Sequence, residues 1–105
     1  MTSRYDSIER ITFSVSKSNA VRVLGALAHE GRLEIFRYLV RLGFEGALAG
    51  AIGKRLSLSA STLSFHLSAL KQAELVEARR EGRTIVYTAN FQTMNEMMAY
   101  LMIII

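Results

Sequence analysis

The sequence contains no cysteine, which excludes disulfides, thiolate metal sites and a cysteine nucleophile together. A reducing compartment suits such a chain. Proline is absent as well, so breaks between elements must be read from glycine, from serine and from changes of hydrophobic period. Histidine is nearly as scarce: only His29 and His66 occur, isolated from one another, and no carboxylate pair stands in a recognisable motif. These residues assemble no catalytic constellation, so no enzyme, catalytic residue, cofactor or metal ligand is expected. Long apolar runs are missing too. Met1 to Ser16 holds no stretch of signal-peptide length. The run from Met97 to Ile105 is far too short to cross a bilayer. The expectation is a cytoplasmic protein with no membrane partner.

The 105 residues fit one compact domain, and half of them are hydrophobic, so a core can form. A chain this short buries a limited share of its surface, and pairing with a second copy hides more. The net charge of +4 and the pI of about 9.9 permit nucleic-acid binding without demonstrating it.

Ile11, Phe13 and Val15 alternate with Thr12, Ser14 and Ser16, the pattern of a short strand or an extended arm over residues 1–18. From Asn19 the period turns helical, with Ser18 as N-cap and Val21, Leu24, Leu27 and Ala28 on one face. His29-Glu30-Gly31 breaks this helix, and His29 near its C-terminus would suit the dipole there. A second helix is expected from about Arg32 to Leu42. Leu33, Phe36, Leu39 and Val40 would face inward, and Arg32, Glu34, Arg37 and Arg41 would face solvent. Leu48, Ile52 and Leu56 mark a short third helix, in which Gly50 and Gly53 each cost roughly 1 kcal/mol against alanine.

Ser57-Leu58-Ser59 reads as a three-residue turn, and Ser59 is a good N-cap for a fourth helix from Ala60 to about Ala73. Leu63, His66, Leu67, Leu70 and Glu74 lie along one side of it, with Ser61, Thr62, Phe65, Ser68 and Gln72 along the other. The period then changes to two short strands, Leu75–Arg80 and Arg83–Thr88, about a turn at Glu81-Gly82. Phe91, Met94, Met97, Met98 and Leu101 suggest a last apolar helix. Met102 to Ile105 reads as a bare apolar tail that wants burial, or as the end of a shortened chain.

Two short helices about a tight turn make a helix-turn-helix candidate. Three features strengthen it. Small hydroxyl residues at Ser61, Thr62, Ser64 and Ser68 let the second helix approach a major-groove floor. A hairpin follows directly. Its tip carries Arg79, Arg80 and Arg83 within five residues. A groove-reading helix with an arginine-bearing hairpin beside it is a winged arrangement. The fold expected is mainly α with a small β-hairpin, over residues 19–101.

The segment Ala26-Leu27-Ala28-His29-Glu30-Gly31-Arg32-Leu33-Glu34-Ile35 resembles the opening motif of the ArsR/SmtB family of bacterial repressors. Leu58 to Leu70 resembles that family's recognition helix. Ala73-Glu74-Leu75-Val76, Arg79 to Arg83 and Tyr87 resemble its wing. The resemblance covers about residues 19–101. It implies a winged helix-turn-helix whose first and last helices form a homodimer on a near-palindromic double-stranded operator. On this chain that interface would fall on Val21, Leu24, Met94, Met97, Met98 and Leu101. Family members release DNA on a metal, metalloid or redox signal. This chain departs there: it has no cysteine for sensing, and its last helix offers Glu96 but no histidine. No inducer is named by its residues.

Each candidate has a plainer reading. Arg79, Arg80 and Arg83 can keep a hairpin edge soluble or hold phosphates, with Arg80 and Arg83 flanking the tip. Phe65 is either a partly exposed core aromatic or a contact for a thymine methyl. Ser59, Ser61, Thr62, Ser64 and Ser68 either cap and solvate the helix or meet DNA. His66, at the edge of the buried face, is a structural histidine or a base contact. Met94, Met97, Met98 and Met102 can hold soft copper(I), although methionines at helical spacing usually pack. The function expected is a sequence-specific, homodimeric DNA-binding repressor. The alternative is a winged-helix module that binds protein instead of DNA.

Overall fold

The computed structural model describes residues 17–102. Helix α1 spans Lys17–Leu27 and α2 spans Glu30–Leu42. A 3-10 turn at Gly43–Glu45 leads to strand β1, Ala47–Leu48, and directly into α3, Ala49–Leu56. Helix α4 spans Ala60–Gln72, the hairpin strands β2 and β3 are Val76–Glu81 and Thr84–Ala89, and α5 is Phe91–Met102. The strands form an antiparallel sheet in the order β1-β3-β2. The expected extended arm and the tail residues 103–105 lie outside the described residues.

The core is where the helical stripes meet. Ile35 and Leu39 of α2, Ile52 of α3, Leu70 of α4 and Leu75 are its fully buried large side chains. Val23 and Ala26 close it from α1, and Met97 closes it from α5.

Several boundaries differ from expectation. Ser18 lies within helix α1 instead of at its cap. Its buried stripe is Ala20, Val23 and Ala26, so the expected face carrying Val21 and Leu24 points outward. His29 does not close α1. It opens α2, where its Nδ1 accepts the Gly31 N–H at 3.2 Å and satisfies one of the orphan donors of a helix start. In α2 the inward stripe is Ile35, Phe36 and Leu39, Leu33 is exposed, and Arg32 is half-buried instead of free in solvent. Leu48 belongs to β1, paired with Val86, and serves α3 only as its extended N-cap.

Glu74 lies beyond α4 with a left-handed φ of 61°, as Leu75 N–H closes back on the Leu70 carbonyl. The hairpin turn is shifted by one residue. Glu81 pairs with Thr84, so the turn is Gly82-Arg83. Gly82 has φ 64° and Arg83 is not left-handed, the arrangement of a type II′ turn with glycine first.

Candidate nucleic-acid interface

Helices α3 and α4 are joined by Ser57, Leu58 and Ser59. Ser57 takes a left-handed conformation, with φ 56°, and Leu58 N–H bonds the Gly53 carbonyl, which stops α3 sharply. Ser59 then caps α4: its Oγ accepts the Thr62 N–H at 3.3 Å and also meets the Thr62 hydroxyl at 2.9 Å. The cap fixes where α4 begins and therefore which side chains face out.

That outward face is the one the sequence pattern describes. Ser61, Thr62, Ser64, Phe65, Ser68 and Gln72 are exposed, while Leu63, His66, Leu67 and Leu70 are buried. Phe65 keeps 65% of its surface in solvent. No acidic residue stands in α4, and its charge is Lys71 in the last turn. The face is thus small, hydroxyl-bearing and free of negative charge.

His66 departs from the set. It is buried, its Nδ1 accepts the Arg32 Nε–H at 3.3 Å, and its ring lies 4.6 Å from that of His29. Burial first, then the proximity of His29 and Arg32, lowers its pKa from the ordinary value of 6.5. A base edge outside the protein cannot reach this side chain, so His66 is structural and leaves the list of contact residues.

The strand register sorts the wing arginines. Arg80 stands opposite Ile85, and Ala78 opposite Tyr87, so Arg80 shares a face with Tyr87. Tyr87 lines a groove of about 430 Å³ with Lys54 and Gly50 of α3 and Ser64, Ser68 and Lys71 of α4. Arg80 and Arg83 stand at the tip of the hairpin, both exposed, and Arg80 Nε–H donates to the Gly82 carbonyl at 3.3 Å. Arg79 lies on the opposite face. It is held by Glu81 at 2.6 Å and by the Phe44 carbonyl at 2.7 Å, so it ties the wing to the 3-10 turn. Two residues that the sequence reading passed over, Lys54 and Lys71, join the groove. Their signal was a basic residue in the last turn of each of the two helices.

The last helix divides its methionines. Met97 is buried in the chain's own core and Met94 packs against it, while Met98 and Met102 point outward. They therefore do not form one thioether cluster. Met97 leaves the interface set for the same reason. Val21, Leu24, Met98 and Leu101 remain exposed. Among the described residues no group of three or more histidines or carboxylates gathers to hold a metal. No helix among them is long and apolar enough to cross a membrane.

This geometry has a clear likeness among known proteins. A helix-turn-helix domain model matches residues 27–79. An ArsR-like transcriptional regulator from Rhodococcus sp. RHA1 superposes with a TM-score of 0.72 at 32% identity, over 80% of this chain and 76% of that one. The chain belongs to the ArsR/SmtB-type helix-turn-helix family. Its fold is the family's winged helix-turn-helix, mostly helical with a three-stranded antiparallel sheet. Within the family it is 39% identical over 74 residues to the transcriptional activator HlyU of Vibrio cholerae, 70% of this chain and 65% of that protein. The match therefore spans just under two thirds of that relative's length. The homodimeric winged helix-turn-helix DNA-binding domain of Mb0332 from Mycobacterium bovis gives a TM-score of 0.67 at 27% identity, over 96% of this chain and 84% of that one.

Proposed function

We propose that this protein is a sequence-specific, double-stranded-DNA-binding transcriptional regulator. It works as a cytoplasmic homodimer that represses by occupying a near-palindromic operator. The observation that carries the reading is the division of labour on one surface. An acid-free α4 presents Ser61, Thr62, Ser64, Phe65 and Ser68, and beside it a wing presents Arg80 and Arg83. Hydroxyls and one exposed ring suit base edges and thymine methyls, and guanidinium groups suit phosphates.

The relatives support transcriptional regulation, and HlyU among them is named an activator. The homodimeric Mb0332 domain supports pairing. Two exposed apolar stripes, Val21 and Leu24 on α1 and Met98 and Leu101 on α5, are the surface a second copy would cover. Without cysteine the chain cannot respond through thiol chemistry, so an inducer, where one acts, uses another site.

Salt titration of DNA affinity tests the wing directly. Arg80→Ala with Arg83→Ala should weaken binding to operator and to random DNA alike and should reduce the salt slope by about two phosphate contacts. An unchanged affinity and slope would remove the wing from the interface. If the wild-type chain gives no shift of any DNA at low salt yet still forms a dimer or hetero-complex, the protein-binding module is the correct function.

A further inference from the structure

We infer that Arg32, which lies outside the helix-turn-helix pair, is a positioning residue for sequence reading: its guanidinium is anchored on buried His66 and fixes the ring of Phe65 on the outward face of α4. The inference rests on the reading of α4 as the DNA-reading helix.

Phe65 and His66 are neighbours in sequence and point opposite ways, Phe65 into solvent and His66 into the protein. Arg32, in the first turn of α2, touches both. Its Nε–H donates to His66 Nδ1 at 3.3 Å, and its guanidinium carbon lies over the Phe65 ring, 5.5 Å from the centroid. A planar guanidinium can give an in-plane N–H to an acceptor while its face meets an aromatic ring. A lysine ammonium is a point charge and has no such geometry.

The anchor itself is rigid. His66 is buried against the start of α2, where Gly31 leaves room for it: a Cβ there would stand 3.0 Å from His66 Nε2. The backbone of that turn is in turn held by His29, whose Nδ1 accepts the Gly31 N–H and whose ring lies 4.6 Å from that of His66. A continuous set of contacts thus runs from the capped start of α2 through His66 and Arg32 to a ring that is 65% exposed.

A large ring left in solvent samples several rotamers and loses that freedom on binding. A ring already held loses less and reaches a thymine methyl from a defined position. Arg32 therefore acts on which bases are preferred, through Phe65, and not on the phosphates.

The test is selection of bound sequences from a random DNA pool with the full chain and with Arg32→Ala, Arg32→Lys and Phe65→Ala, together with affinities on selected and random DNA. Arg32→Ala should lose about two- to five-fold of the preference at the positions where Phe65→Ala loses its own. Affinity for random DNA should change by less than about two-fold. Arg32→Lys, which keeps the charge, should lose the same preference, and adding Arg32→Ala to Phe65→Ala should cost nothing further. Should Arg32→Ala fail to fold, Arg32→Lys carries the test alone. Full preference in Arg32→Lys, or equal loss on selected and random DNA in Arg32→Ala, overturns the inference. A wild-type chain with no preference overturns instead the reading of α4 itself.

Discussion

His66 ties α4 to the start of α2 through Arg32 and His29. It accepts a hydrogen bond at Nδ1, so it must be neutral there. Burial, reinforced by His29 and Arg32, lowers its pKa from the ordinary 6.5. The sign of the linkage follows. Above pH 6.5 the ring is neutral in both the folded and the unfolded chain, and stability is intact. Below it the unfolded chain takes up the proton first, and stability falls until the folded pKa is passed. The thermal midpoint should therefore drop on acidification from about pH 7 to about pH 5, and His66→Gln should flatten part of that drop relative to wild type. An identical pH profile for the two proteins would mean that His66 is not the titrating group. Helical period alone placed this residue at the edge of the buried face. It could not separate a histidine that meets a base from one that meets Arg32, because that partner lies 34 positions away in sequence. Arg32 was illegible for the same reason: on its own helix it sits among charged residues that do face water.

At the scale of elements, caps and turns decide what each helix presents. The Ser59 side chain takes the Thr62 N–H and fixes the first turn of α4. Ser59→Ala should cost about 1 kcal/mol in chemical denaturation, with helix content nearly unchanged. A loss near zero would mean that water serves the cap equally well. The helix-turn-helix was readable from its apolar spacing, from Ser59 and from the hydroxyl residues of the outer face. The wing was readable from its change of period, with the turn off by one residue and the strand pairing therefore off by two, because Glu81-Gly82 and Gly82-Arg83 are both acceptable turns before pairing is known. Strand β1 was not readable. Two residues, Ala47 and Leu48, have no period, and only their pairing with Tyr87 and Val86 makes them a strand. That pairing attaches the wing to the start of α3 and sets its angle to α4.

Among the described residues two surfaces differ in chemistry. One carries the hydroxyls, Phe65 and the free wing arginines. The other carries Val21 and Leu24 of α1 with Met98 and Leu101 of α5, from 40% to 62% exposed. Apolar side chains left out in this number suit a partner with the same stripes. Leu24→Glu combined with Met98→Glu should give a monomer in sedimentation with helix content retained, and operator affinity should fall steeply because only one half-site is then read at a time. A dimer that persists with both charges in place would put the interface elsewhere. The family resemblance put both stripes at a dimer interface and counted Met97 among them; Met97 and Met98 are adjacent, and only packing separates inside from outside.

The measurement that bears most directly on the account is selection of bound DNA from a random pool by the wild-type protein. Two recognition helices related by a two-fold axis predict enriched sites with two inverted half-sites centred about one helical turn apart, roughly 34–36 Å along the duplex. A pool that gains no motif, or no bound DNA at low salt, would contradict it.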